Sequence, residues 1–181
     1  AEERAELLGD DARHHVRGAA GRQAASASRS GHRDGTAAAG ISLAMAGTSG
    51  KPIVQKLGLK PGFCIFVDGL SVPYRDIVGE LPADLRIAKT ARAPLDAVHL
   101  FAAEARGLSA RLRRYREAIA PDGMIWVSWP KKSSGVATDL TDVVVRETGL
   151  ASGLIDVKVC AVDAVWSGLK FVIPVKERGQ R

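Results

Sequence analysis

Residues 129 to 142 read WPKKSSGVATDLTD, and their types suit the holding of an anion. Lys131 and Lys132 bring charge, Ser133, Ser134 and Thr138 bring hydroxyl donors, and Gly135 lets the backbone come close to a ligand. A helix starting just after them would add first-turn N–H groups that have no partner within the helix and carry the positive end of its dipole. Together these groups could hold a phosphate or a carboxylate. Trp129 opens the stretch, and Trp166 sits in a later turn, AVDAVWSG, from which it could cover the same edge. Closing the core is the simpler role for an indole. The loop is not the G-x-x-x-x-G-K-[ST] arrangement, so a solvated lysine pair followed by an ordinary helix cap is the competing reading.

Other chemistry is thinner. His99 is the one histidine after Met45 and falls in the middle of an apolar run, where a packed core histidine is the expectation. No H-x-x-x-H or C-x-x-C spacing points to a metal, and no serine sits in G-x-S-x-G. Arg106, Arg111, Arg113, Arg114 and Arg116 make the segment RGLSARLRRYRE basic, so nucleic acid is a second class of partner through phosphate contacts. Tyr115 falls on the apolar stripe of that helix, and the arginines then read equally as its wet face.

The elements that must position these residues alternate between strand and helix. FCIFV, residues 63 to 67, is a short continuous apolar run of the kind a sheet covered on both faces requires. A helical turn or two is expected from Tyr74 to Leu81, and a short strand from Leu85 to Ala88. DAVHLFA, residues 96 to 102, predicts a third strand that leads into EARGLSARLRRYREAIA, where Leu108, Leu112, Tyr115 and Ile119 recur at helical spacing. Pro121-Asp122-Gly123 should stop that helix before the strand MIWVSWP, residues 124 to 130. The next helix is expected to begin near Thr138 or Asp139, either of which can cap it, and to end at Gly149. LIDVKVCAV and LKFVIPV then form an antiparallel hairpin through Asp163 to Gly168. The expected class is α/β and Rossmann-like, a mostly parallel sheet with helices on both faces and a C-terminal antiparallel hairpin. In such sheets ligands gather outside the carboxyl ends of the strands, where WPKKSSG lies.

Of the 181 residues 46% are hydrophobic, enough for one domain with a proper core. Residues 1 to 44 hold no Lys, Phe, Trp or Tyr, and their small polar run AAGRQAASASRSGHRDGTAAAG offers nothing to bury. An upstream, non-native extension before Met45 is the favoured reading, ahead of a disordered tail and of a secretory signal ending at ISLAMA. Residues 45 to 181 are then the Rossmann-like domain. Six arginines balance six acids before Met45, so the whole formal charge of +6 belongs to this domain and favours anionic partners. Cys64 and Cys160 lie inside apolar runs as small core residues, which points to a reduced, cytoplasmic setting. No window approaches 18 uninterrupted apolar residues, so no membrane span is expected.

From about Thr48 to Lys176 the chain resembles an uncharacterised bacterial domain-of-unknown-function family, on the blocks TSGKPIVQKLGLKPG, WPKKSSGVATDLTD and VKVCAVDAVWSGLKFV. That resemblance carries no activity with it. More distantly, the LKPG turn, the strand after it and the closing hairpin are similar to the class I methyltransferase fold. That likeness implies S-adenosylmethionine, held by a G-x-G-x-G loop after the first strand and an acidic residue ending the second. Here the loop is VDGLSVPY with Gly69 alone, and the second strand ends in RIAKT with Lys89. Both departures weigh against the cofactor. The expected function is the binding of an anionic small molecule at Trp129 to Thr138, with a methyltransferase-like enzyme and a nucleic-acid module as alternatives.

Overall fold

A computed structural model describes residues 50–92 and 94–179. Expectations about residues 1 to 44 and a start at Met45 lie outside the described residues. A short helix, α1 (Ile53–Leu57), leads to β1 (Cys64–Asp68), α2 (Tyr74–Val78) and β2 (Arg86–Ala88). β3 (Leu95–Phe101), α3 (Leu108–Ala118) and β4 (Ile119–Pro130) follow. After a single 3-10 turn at Lys132–Ser134 come α4 (Asp142–Ala151), β5 (Ile155–Ala161), β6 (Trp166–Val172) and α5 (Val175–Arg178).

Six strands form one sheet in the order β2-β1-β3-β4-β6-β5. β1, β2, β3 and β4 are parallel to one another, while β6 runs antiparallel between β4 and β5. The expected mixed sheet with its antiparallel C-terminal pair is therefore present. Apolar continuity explains the central strands: Leu95, Ala97, Val98, Leu100 and Phe101 of β3 are all buried, and β4 is buried from Gly123 to Pro130.

Alternation along β4 feeds two clusters of buried side chains. Ile125, Val127 and Trp129 join Leu108, Leu112 and Tyr115 of α3 and Val145 of α4. Met124 and Trp126 join Leu57 of α1 and Tyr74 and Val78 of α2. The Trp126 indole N–H donates to the Leu57 carbonyl at 2.9 Å, so this ring fills its pocket without stranding its polar atom.

Three boundaries differ from the sequence expectation. α3 ends at Ala118, before Pro121-Asp122-Gly123, and that tripeptide lies within β4. Leu95 pairs with Ile119 while Ala97 already pairs with Met124, so the extra residues, with Pro121 and Asp122 exposed, are accommodated as an irregularity in the ladder. α4 starts at Asp142 rather than near Thr138 or Asp139, because Thr141 supplies the cap, its hydroxyl oxygen accepting from the Val144 N–H at 3.2 Å. Thr141→Ala should cost about 1 kcal/mol in chemical denaturation, since one first-turn N–H loses its partner; no change would mean that another group takes over the cap. Finally, α4 runs through Gly149 to Ala151. A Cβ on Gly149 would stand 2.1 Å from the Phe171 ring, so this glycine allows helix and strand to touch and does not end the helix.

Candidate functional site at the carboxyl ends of the strands

The chain leaves β1 towards β2 on one side and later returns to place β3 on the other, so strand order reverses between β1 and β3. A cleft of about 250 Å³ opens there, lined by Gly69 after β1, by Phe101 to Glu104 at the end of β3, and by Arg106 and Arg111. Asp68, the last residue of β1, holds one of the lining side chains, Arg111. Arg111 donates to one Asp68 carboxylate oxygen through Nε at 3.1 Å and Nη2 at 2.6 Å, and the Tyr115 hydroxyl donates to the same oxygen. Burial alone would raise the Asp68 pKa, but the hydrogen bonds from Tyr115 and Arg111 and the guanidinium charge outweigh it and hold the carboxyl below its ordinary range. Burial, aided by the neighbouring carboxylate, pushes Tyr115 up to about 12.

Gly69 presses against the end of β3. Its φ is +81°, and a Cβ built on it would lie 2.0 Å from the Phe101 carbonyl oxygen. The glycine is needed for contact with the protein's own backbone, which lets the β1 loop pass directly against the end of β3.

Most of the hydroxyl and lysine groups of WPKKSSGVATDLTD are engaged within the protein. Lys131 donates through Nζ to the Asp163 carbonyl, and its N–H to Val165 O at 2.7 Å, tying the loop to the tip of the β5–β6 hairpin. Ser134 donates to the Lys131 carbonyl at 2.7 Å and accepts from the Val136 N–H, a local turn ending at Gly135. Thr138 donates to the Ala103 carbonyl at 2.6 Å and accepts from the Leu140 N–H, which fastens the loop to the wall of the cleft. Asp139 accepts from the Ala105 N–H at 2.7 Å beside it. Lys132 and Ser133 are exposed. The two indoles stand at the same end of the β4–β6 ladder but join different clusters: Trp129 is in the cluster with α3, whereas Trp166 packs on the other, edge-on to Phe101 at 5.1 Å.

His99 is a core histidine, 2% exposed, as its place in an apolar run predicted. Its Nδ1 lies 2.8 Å from the Tyr74 hydroxyl and its Nε2 2.7 Å from the Ser128 hydroxyl. A neutral ring has one N–H, so one hydroxyl accepts from it while the other donates to the bare nitrogen. Burial drives its pKa down to about 3. The arginines of α3 divide in the same way: Arg111 serves Asp68, and Arg116 reaches the Gly153 carbonyl and Glu177, while Arg113 and Arg114 are exposed. Cys64 and Cys160 are free thiols. Among the described residues no His, Cys, Asp and Glu cluster could hold a metal, and no helix is long and apolar enough to cross a membrane.

No family model matches the chain, and no curated protein matches it. Solved structures do. A chain from the complex between the Haloferax volcanii Trm112 methyltransferase activator and a protein assigned as a methyltransferase is similar at 11% identity and a TM-score of 0.51, over 67% of this chain and 86% of that one. The fold is methyltransferase-like. An S-adenosylmethionine-dependent methyltransferase from Aquifex aeolicus aligns at 13% identity and a TM-score of 0.47, over 67% of this chain and 88% of that one. A possible exported protein from Bordetella parapertussis aligns at 10% identity and a TM-score of 0.45, and there the match spans 67% of this chain and 64% of that one.

The residues at these strand ends do not fit the cofactor that such a fold implies. Gly69 is spent on the Phe101 carbonyl, Asp68 is engaged by Arg111 and Tyr115, and β2 runs into Lys89 where a ribose would need an acceptor.

Proposed function

We propose that this is a small-molecule-binding domain that takes an anionic ligand, a carboxylate or a phosphate, in the cleft between the ends of β1 and β3. The observation that carries the reading is the placing of Arg106 and Arg111 on a cleft at the point where strand order reverses. Arg111 is pre-positioned by Asp68, and exposed Arg106 supplies charge without an acidic hydrogen-bond partner among the described residues. In this reading the Trp129 to Thr138 loop is the rim, held to Ala103 by Thr138, with Lys132 and Ser133 as the donors still facing solvent.

Binding rather than catalysis is favoured by the titratable groups nearby. A general acid or base works best with a pKa near the operating pH. Tyr115 lies far above neutrality, and His99 lies far below it and is sealed in the core.

The test is calorimetric titration with sugar phosphates, nucleotides, dicarboxylates, S-adenosylmethionine and a short oligonucleotide. At least one small anion should bind, and Arg106→Ala should weaken it about tenfold, the loss of one charge-assisted contact. Lys131→Ala, whose ammonium serves the hairpin tip, should leave the affinity within about twofold, in keeping with that place in the fold. Binding of S-adenosylmethionine alone would replace this reading with the methyltransferase one. Oligonucleotide binding that falls steeply with salt would replace it with the nucleic-acid one.

A further inference from the structure

Four lysines converge on the other cluster's side of the sheet. Lys158 of β5 stands directly across from Lys170 of β6, and Lys170 stands across from Trp126 of β4. Directly opposed residues of an antiparallel pair share a face, with Cβ atoms about 5 Å apart, and like charges there are destabilising. Lys158 donates through Nζ to the Lys56 carbonyl at 3.0 Å, which draws the end of α1 over the pair. Lys60 stands in the turn after α1, close enough for its charge, with that of Lys158, to add to the burial that already depresses the Lys170 pKa. Cys160, two residues beyond Lys158, lies within the field of Lys158, Lys56 and Lys131. None of these lysines has an ion-pair partner among the described residues. The half-buried Lys170 thus carries a repulsive cost that no acidic neighbour among the described residues offsets.

We propose that Lys56, Lys60, Lys158 and Lys170 form a binding site for a compact, multiply charged phosphate anion, of the size of pyrophosphate or the phosphate chain of a nucleotide. Ammonium groups act as compact point charges suited to phosphate, and the site has no arginine fork of the kind that planar carboxylates favour. A compact anion also fits better than an extended nucleic acid, because the arginine helix packs on the opposite cluster and does not continue this patch into a track. The site is separate from the cleft, whose charged lining is Arg106, Arg111 and Glu104.

Thermal midpoints of the full chain in sodium chloride, in pyrophosphate and in ATP at matched ionic strength test this. Pyrophosphate should raise the midpoint by about 5 °C over chloride, because it binds only the folded state. Lys170→Met and Lys158→Met should each lose at least half of that rise. Lys170→Met should in addition melt higher than the parent in chloride, since the repulsion is gone and the apolar stem remains. Arg113→Ala, on the exposed face of α3 and outside both sites, should keep the whole rise. A rise with ATP as well as pyrophosphate identifies a nucleotide, and a rise with pyrophosphate alone a free polyphosphate; either supports the site. A rise no larger than that in chloride overturns it, as does one that survives in both lysine variants or disappears in Arg113→Ala.

Discussion

Lowering the pH from 7 to 5 should weaken the folded state by about 2 kcal/mol, through His99 alone. The ordinary imidazole pKa of 6.5 applies to the unfolded chain, whereas burial brings the folded value down to about 3. Between those two values the unfolded state binds a proton that the folded state refuses, so stability rises with pH across the window and is lost as pH falls. The limiting slope is about 1.4 kcal/mol per pH unit. Asp68, held below the ordinary carboxylate range, does not add to the histidine's slope between 6.5 and 5. Denaturant unfolding at half-unit steps should follow this slope in the parent. His99→Gln should start lower, having lost the ring stacked on Phe101 at 4.2 Å, and should be nearly flat over the same interval. A parent that is flat there, or a variant that keeps the slope, would show that the ring accepts its proton inside the fold.

Gly69→Ala should cost at least about 3 kcal/mol, summing the strain of a positive φ and an overlap with backbone that cannot turn aside. The new Cβ would meet the Phe101 carbonyl oxygen at 2.0 Å, and relief requires the β1 loop or the end of β3 to move. Because those two segments are the walls of the cleft, binding of any ligand of Arg106 should fall with stability. Gly62→Ala is the control: its φ is +76°, but no atom lies within 4 Å of the added carbon, so only the conformational cost of about 1 kcal/mol applies. Urea unfolding of the two variants decides. Equal losses would mean that the contact with Phe101 yields freely.

Much of the sheet was legible because its strands are continuous apolar runs, FCIFV, DAVHLFA and MIWVSWP, and because the hairpin declares itself through AVDAVWSG. The start of α4 was not. Thr138, Asp139 and Thr141 are all good caps by type, and only tertiary context, Thr138 bound to Ala103 and Asp139 to Ala105, leaves the task to Thr141. Gly149 read as a stop because glycine usually punctuates, whereas its purpose is room for Phe171. The polar centres were harder still. Asp68 finds Arg111 and Tyr115 at separations of 43 and 47 residues, and His99 finds Tyr74 and Ser128 at 25 and 29. No short motif announces such pairs. The one signal available for the first was Asp68 at a strand end beside Gly69, with Arg111 one turn before Tyr115 on a helix.

The position of β6 sets an order on how the sheet can be assembled. It is the last strand in chain order, yet it stands inside the sheet, between β4 and β5. During synthesis β4 can join β3 as soon as it emerges, but its other side stays unsatisfied until Trp166 to Val172 arrive, and β5 has no neighbour before then. A nascent chain halted at Val165 should therefore expose the Trp126 and Val127 backbone to other chains, and its protection from proteolysis should appear abruptly once Val172 has been added.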